Sequence, residues 1–170
     1  MFVEVFSEEG SKVTFYTIRK EGAEFSETEI FFRKVYESDY KEDVQKLAHL
    51  LSNQIANKYG AHEKYFNRHE RLATALPPKK YNPFKKEKAI SFAHSPLRLY
   101  TLKVSESVVV LFNGGLKFTK GSAQEDSNVS IHFHEANECS RKILEAIKEG
   151  MICLSHKTMV DFQGNKTIII

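Results

Sequence analysis

Val108-Val-Val-Leu-Phe-Asn-Gly-Gly-Leu-Lys-Phe-Thr-Lys120 opens as the most apolar run of the chain and ends in glycines, lysines and a threonine. The β-branched and leucine side chains before Phe112 suit a strand buried on both faces, because such side chains pack well on a pleated surface. Asn113-Gly114-Gly115 tolerates positive φ, so the strand is expected to stop or bulge there. The residues beyond the break, Lys117 above all, then decide whether the strand is only core or also delivers basic groups to a site.

Immediately upstream, Pro96-Leu-Arg-Leu-Tyr-Thr-Leu-Lys-Val104 alternates with period two. Leu97, Leu99, Thr101 and Lys103 fall on one face, and Arg98, Tyr100, Leu102 and Val104 on the other. Ser105-Glu-Ser107 turns the chain back, so this strand and Val108–Phe112 are expected to form an antiparallel hairpin. Two further strands, Phe2–Phe6 and Val13–Ile18, flank Ser7–Ser11 in a hairpin pattern with Gly10 in the loop. Residues 29–36 fit either a third strand or a short helix. Asp39 and Glu42 are spaced as a capping box, and Val44, Leu47, Ala48, Leu51, Ile55 and Tyr59 recur at helical spacing up to Gly60.

Between His62 and Ser95 the patterns weaken. Pro77-Pro78 interrupts any helix, and Lys79–Lys88 reads as an exposed loop. Val129–His134 reads as a short strand and Glu135–Lys148 as a second helix, with Ala136, Cys139, Ile143 and Ile147 inward and Gly150 at its end. Met159–Phe162 and Lys166–Ile170 are expected to pair as a hairpin. The expectation is one α+β domain over residues 1–170, with a twisted antiparallel sheet and two main helices.

The 170 residues are 41% hydrophobic and 28% charged, a globular composition without fibrous or disordered bias. An acidic N-terminus and the lack of an apolar run of about 18 residues point to a cytoplasmic protein without a membrane span. Cys139 and Cys153 form neither a disulfide framework nor a zinc set. The net charge of +3 conceals an uneven distribution. From Lys64 to Lys120 twelve Lys and Arg face three Glu, a balance of +9, and the remainder carries −6. A basic middle fits a polyanion such as RNA, and it equally fits a solvated lysine-rich surface.

No phosphate-binding GxxxxGK[ST], HExxH, GxSxG or CxxC motif occurs, so any catalysis rests on scattered side chains. Arg98 beside Tyr100 presents a guanidinium and a phenol able to clamp a phosphate, unless Arg98 merely pairs with a carboxylate such as Glu106. Lys117 shares a face with Thr119, and Lys120 takes the other. His132 and His134 supply an acid and a base or two metal ligands, or serve only as polar strand residues; with no third ligand in view, no metal and no cofactor is expected. The segment from His62 to Arg71, with Arg68 and Arg71, interleaves basic and aromatic residues as RNA surfaces do. Lys79, Lys80, Lys85 and Lys86 extend the same basic character.

The order Arg71-Leu-Ala-Thr-Ala-Leu76, a loop, Leu97-Arg-Leu-Tyr100, then Val108–Lys120 and a helix resembles the RelE/HigB-like toxin superfamily in its phage-derived branch, over about residues 68 to 149. The resemblance implies a RelE-like core preceded by an added N-terminal β-hairpin, an endoribonuclease that cleaves mRNA without a metal at the ribosome, and a cognate antitoxin protein as partner. On that likeness Arg98, Lys117 and Tyr100 carry the chemistry, with His132, His134 or Tyr100 as the general acid. The first 37 residues and the Lys79–Lys88 loop are additions to the family pattern, and its usual C-terminal tyrosine or histidine is not recognisable. The alternative is a catalytically inactive nucleic-acid- or protein-binding module of mobile-element origin.

Overall fold

A computed structural model describes residues 1–170. Strands β1 (Phe2–Ser7) and β2 (Thr14–Arg19) pair as the antiparallel hairpin that the alternating pattern predicts. Residues 29–36, open between strand and helix in the sequence, belong to a helix, α1 (Glu27–Tyr36). Its start is fixed by a capping box one element earlier than the spacing suggested. Ser26 Oγ accepts from the Glu29 amide and the Glu29 carboxylate accepts from the Ser26 amide. No such box forms at Asp39 and Glu42, where α2 (Lys41–His49) begins after Tyr40 without a side-chain cap.

Helix α2 runs on into a more widely wound π-helical stretch, Leu50–Tyr59, closed by the Gly60 amide donating to Ile55 O. Val44, Leu47, Leu51 and Ile55 are buried as their spacing requires, but Leu50 and Gln54 join them and Ala48 turns out to solvent. Two short antiparallel strands, β3 (His69–Glu70) and β4 (Ala73–Leu76), occupy a region that the sequence left unassigned. After the long 77–96 loop, β5 (Leu97–Lys103) pairs antiparallel with both β4 and β6 (Val108–Leu116).

The fold is α+β, with a seven-stranded sheet in the order β3-β4-β5-β6-β2-β1 and, at the edge, β9 (Ile168–Ile169). The sheet is mixed rather than antiparallel, because β2 and β6 run parallel, Thr14 opposite Val108 through Thr17 opposite Leu111. Residue periodicity reports faces, not the partners of strands distant in sequence, so it could not reveal this pair. Central β6 is buried on both faces. Val108, Val110 and Phe112 belong to one core, Val109 and Leu111 to the other. Burying each such side chain stabilises by about 1.5–3 kcal/mol, which makes β6 the spine of both cores. One core lies under α1, α2 and the π-helical stretch, and the second lies under the third helix.

That third helix, α3 (Ser130–Lys148), starts five residues earlier than expected and absorbs the segment read as a strand. Val129, Phe133 and Ala136 are all buried and Ile131 is exposed, a helical spacing of which only the Val129–Phe133 step also fits alternation. There are therefore three helices, not two. The C-terminal expectation also changes. Strand β7 (Ile152–Ser155) pairs with β8 (Thr158–Asp161), while β9 (Ile168–Ile169) adds to the edge of β1 instead of pairing with Met159–Phe162. No helix is long and apolar enough to cross a membrane.

Candidate nucleic-acid interface

The β3-β4-β5 end of the sheet places one row of functional side chains by register alone. Ala75 lies opposite Tyr100, and its amide donates to Arg68 O; Glu70 lies opposite Ala73. Ala73, Ala75 and Tyr100 all belong to the core beneath α3, so alternation puts Arg68, Glu70 and Arg98 on that same face. The two alanines leave room between the flanking long side chains. Beside this row opens a cleft of about 770 Å³, lined by Arg68 and Arg98 and by the 77–96 loop, including Lys79, Lys80, His94 and Ser95.

Arg68 and Arg98 are half-buried, and neither forms a salt bridge with a carboxylate. Arg68 Nε donates to Pro77 O at 3.1 Å, and Arg98 donates from one terminal nitrogen to Leu97 O at 2.6 Å and Ser95 O at 3.2 Å. Backbone carbonyls orient the guanidinium groups without neutralising them. Burial, with the neighbouring Arg98 cation, draws the Arg68 guanidinium down to about 10. Burial likewise lowers Arg98, against the counter-effect of Glu70. Two like charges held together without a paired carboxylate make a site whose missing component is an anion, and fork-shaped donors favour phosphate.

Glu70 is the nearest acid in electrostatic terms. Burial raises its pKa, while Arg98, Arg68 and Lys117 oppose that rise. The carboxylate suggested for Arg98, Glu106, is occupied elsewhere, at 2.6 Å from Lys103 Nζ. Tyr100 shares the Arg98 face as alternation requires, but its hydroxyl is buried without a hydrogen-bond partner beside the Phe133 ring. Burial, then Glu70, pushes that phenol upward, so it holds its proton.

The remaining predicted residues scatter. Lys117 does not line the cleft; its ammonium donates to Thr119 O at 2.6 Å. Arg71 reaches Gln124 Oε1 at 3.1 Å and lies over the Phe133 ring, on the α3 side. Lys85, Lys86 and Lys120 are exposed, and none of them lines the cleft. His132 and His134 sit on α3, not on a strand, and both line another cavity, away from the cleft. No group of three His, Cys, Asp or Glu side chains is arranged to hold a metal.

Three participants escaped the sequence reading. Glu70 and His94 carry no local pattern that marks them, since only the register of β3 and the fold of the 77–96 loop bring them to Arg68 and Arg98. Asp126 is 1% exposed and accepts from the amides of Phe118, Thr119 and Asn128, at 3.2, 3.0 and 2.9 Å. Burial works against its charge, but these amides together outweigh that cost and hold the carboxyl at about 2. It thereby ties the end of β6 to the entry of α3. Compared with known proteins, the chain matches no protein-family model, no curated protein and no solved structure.

Proposed function

We propose that the protein binds RNA through its phosphate backbone in the Arg68–Arg98 cleft. The supporting observation is the pair of half-buried guanidinium groups facing one cleft with no carboxylate partner. Lys79 and Lys80 extend the positive lining along the 77–96 loop. Each phosphate contact on a single strand contributes a salt-dependence slope of about 0.7. Binding of a fluorescein-labelled single-stranded RNA, titrated over a range of salt concentrations, tests this. Arg68→Ala and Arg98→Ala each lower the slope by about 0.7, and a slope unchanged in both variants removes the proposal.

A second reading is cleavage of that RNA, as an mRNA-cleaving toxin of the RelE/HigB-like type that acts at the ribosome and is neutralised by an antitoxin. The observation that favours it is Glu70, a carboxyl of raised pKa among three cations, on the face that bears Arg98. Metal-independent cleavage needs a base for the 2′-hydroxyl, cations at the phosphate and an acid for the leaving oxygen. Glu70 takes the 2′-hydroxyl proton, the 2′-oxygen bonds to phosphorus, and Arg68 and Arg98 neutralise the charge that develops. The 5′-oxygen leaves with a proton from His94, giving a 2′,3′-cyclic phosphate and a free 5′-hydroxyl. Incubation of RNA with the protein in a metal chelator tests the step, with and without translating ribosomes. Cyclic-phosphate ends lost in Glu70→Gln support it, and intact RNA in both settings leaves binding alone.

A further inference from the structure

A second cavity, of about 430 Å³, lies on the α3 side at the carboxyl end of the parallel β2–β6 pairing. Open crevices at the carboxyl ends of parallel strands are recurrent ligand sites. Here the pairing ends at Thr17 opposite Leu111, and β6 then carries an extra residue, Tyr100 of β5 facing both Phe112 and Asn113. Ile18 and Phe112 form the floor, while Ala136 and Cys139 of α3 contribute the wall.

The polar end of this cavity is fixed in place. Lys20 Nζ lies 2.8 Å from Glu135 Oε1 and 3.4 Å from Glu27 Oε1, and Asn113 Nδ2 donates to Glu27 Oε2 at 2.6 Å. Those contacts occupy both oxygens of Glu27 and only one of Glu135. The other, Glu135 Oε2, stands 4.0 Å from His132 Nδ1, a buried nitrogen with no hydrogen-bond partner. Burial, then Lys34, lowers the pKa of His132 and keeps the ring neutral at pH 7, so its Nδ1 accepts when Nε2 carries the hydrogen.

Two acceptors 4.0 Å apart fit one nitrogen donor between them, at about 2.9 Å from each and subtending about 90°. A nitrogen with several N–H bonds meets that requirement. The charges lining the cavity select its sign: Glu138 is taken up by Arg141 at 2.7 Å, and Glu27 and Glu135 still outnumber the single Lys20. An anion is disfavoured there, in contrast to the Arg68–Arg98 cleft. We propose that this cavity binds a small primary ammonium compound with an apolar body, its nitrogen bridging Glu135 Oε2 and His132 Nδ1 and its body resting on Ile18 and Phe112.

The probes are 2-phenylethylammonium and n-hexylammonium chloride, with 3-phenylpropanoate as the anionic counterpart and 3-phenylpropanamide as the neutral one. Calorimetric titration into the full chain measures affinity, and amide chemical shifts locate the site. Saturable binding of an ammonium probe is expected, with shift changes at Ile18, Phe112 and Ala136. Glu135→Gln is expected to weaken it at least tenfold, with no saturable binding of the carboxylate and weaker binding of the amide. His132→Leu supplies the same comparison should Glu135→Gln fail to fold. The proposal is overturned if neither ammonium probe saturates, if the carboxylate or amide binds equally well, or if the folded variants retain full affinity.

Discussion

Gly114 and Arg98 approach so closely across the β5–β6 pairing that a Cβ built at position 114 would stand 1.8 Å from the Arg98 carbonyl oxygen. Gly115, its neighbour, faces Asn128 O, which a Cβ there would meet at 3.0 Å. Strand β6 bulges at Phe112–Asn113, one of the two outcomes expected there, and runs on through the glycine pair, which close backbone approach requires. Gly114→Ala pushes β5 away and misplaces Arg98. The expected cost is about 3 kcal/mol, at the upper end for overpacking, measured by urea denaturation against the wild type. A Gly114→Ala protein with an unchanged urea midpoint contradicts the close approach.

Asp126 sets the response to acid. Its folded pKa of about 2 lies below the ordinary 3.8, so the unfolded chain binds the proton first as pH falls. The stability that Asp126 contributes is complete above the unfolded value and is lost between about pH 4 and pH 2. Asp126→Asn is expected to be destabilised at pH 7 by about 1–3 kcal/mol, through the loss of charged acceptors for buried amides. Its stability then changes less than the wild type's from pH 4 to pH 2. Thermal unfolding of both proteins at pH 7, 4 and 2 measures the difference, and parallel curves would contradict the role given to Asp126.

How much the sequence discloses follows from what periodicity encodes. The β1–β2 and β5–β6 hairpins were legible because each is local, with alternation and a short turn in one stretch. The inward face of α3 was legible for the same reason, through Ala136, Cys139 and Ile143. Its true start was not, since six residues from Val129 to His134 satisfy both a period of two and a helical one. Along α2 and the π-helical stretch the apolar spacing marked the buried stripe but not its breadth, since Leu50 and Gln54 join it while Ala48, within α2, faces outward. At the cleft, Arg98 stood out as a cation inside an apolar strand, and Arg68, Lys79 and Lys80 through clustered charge. Glu70 and His94 had no such contrast with their surroundings, because loop geometry brings His94 into the cleft and the register of β3 brings Glu70 within the field of Arg68 and Arg98.

Tyr100 offers a test that separates packing from chemistry. Its ring belongs to the core under α3, and its hydroxyl is buried with no partner. A buried hydroxyl left without a hydrogen bond costs about 1–3 kcal/mol, so Tyr100→Phe is expected to raise stability, by about 1 kcal/mol after loss of some ring contacts. RNA affinity is expected to stay within twofold. A Tyr100→Phe protein that keeps its stability but loses RNA cleavage would return the phenol to the role that its place beside Arg98 first suggested.

Glu70 governs the last expectation, through the sign of its shift. Burial raises its folded pKa above the ordinary carboxylate value despite Arg98, Arg68 and Lys117. A carboxyl raised in this way favours the folded state most below its unfolded pKa, and that contribution is lost as pH rises through the folded value. Relative to the wild type, Glu70→Gln is therefore expected to gain stability between pH 4 and pH 7, because the amide needs no charge in that site. Cleavage moves in the opposite sense. The base must be ionised to take the 2′-hydroxyl proton and the acid must keep its proton for the leaving oxygen, so wild-type cleavage rises with pH through the raised pKa of Glu70 and falls again at higher pH, a bell whose rising limb belongs to Glu70. Glu70→Gln is expected to lose at least a hundredfold in cleavage rate, the lower range for general-base catalysis, while binding RNA as well as the wild type or better, since a negative charge that acts on Arg98 and Arg68 is removed. Single-turnover cleavage and salt-dependent binding, measured on the same preparations from pH 4 to pH 8, separate the two effects. Equal cleavage by Glu70→Gln and wild type removes Glu70 as the base and leaves Arg68 and Arg98 as an RNA-binding pair.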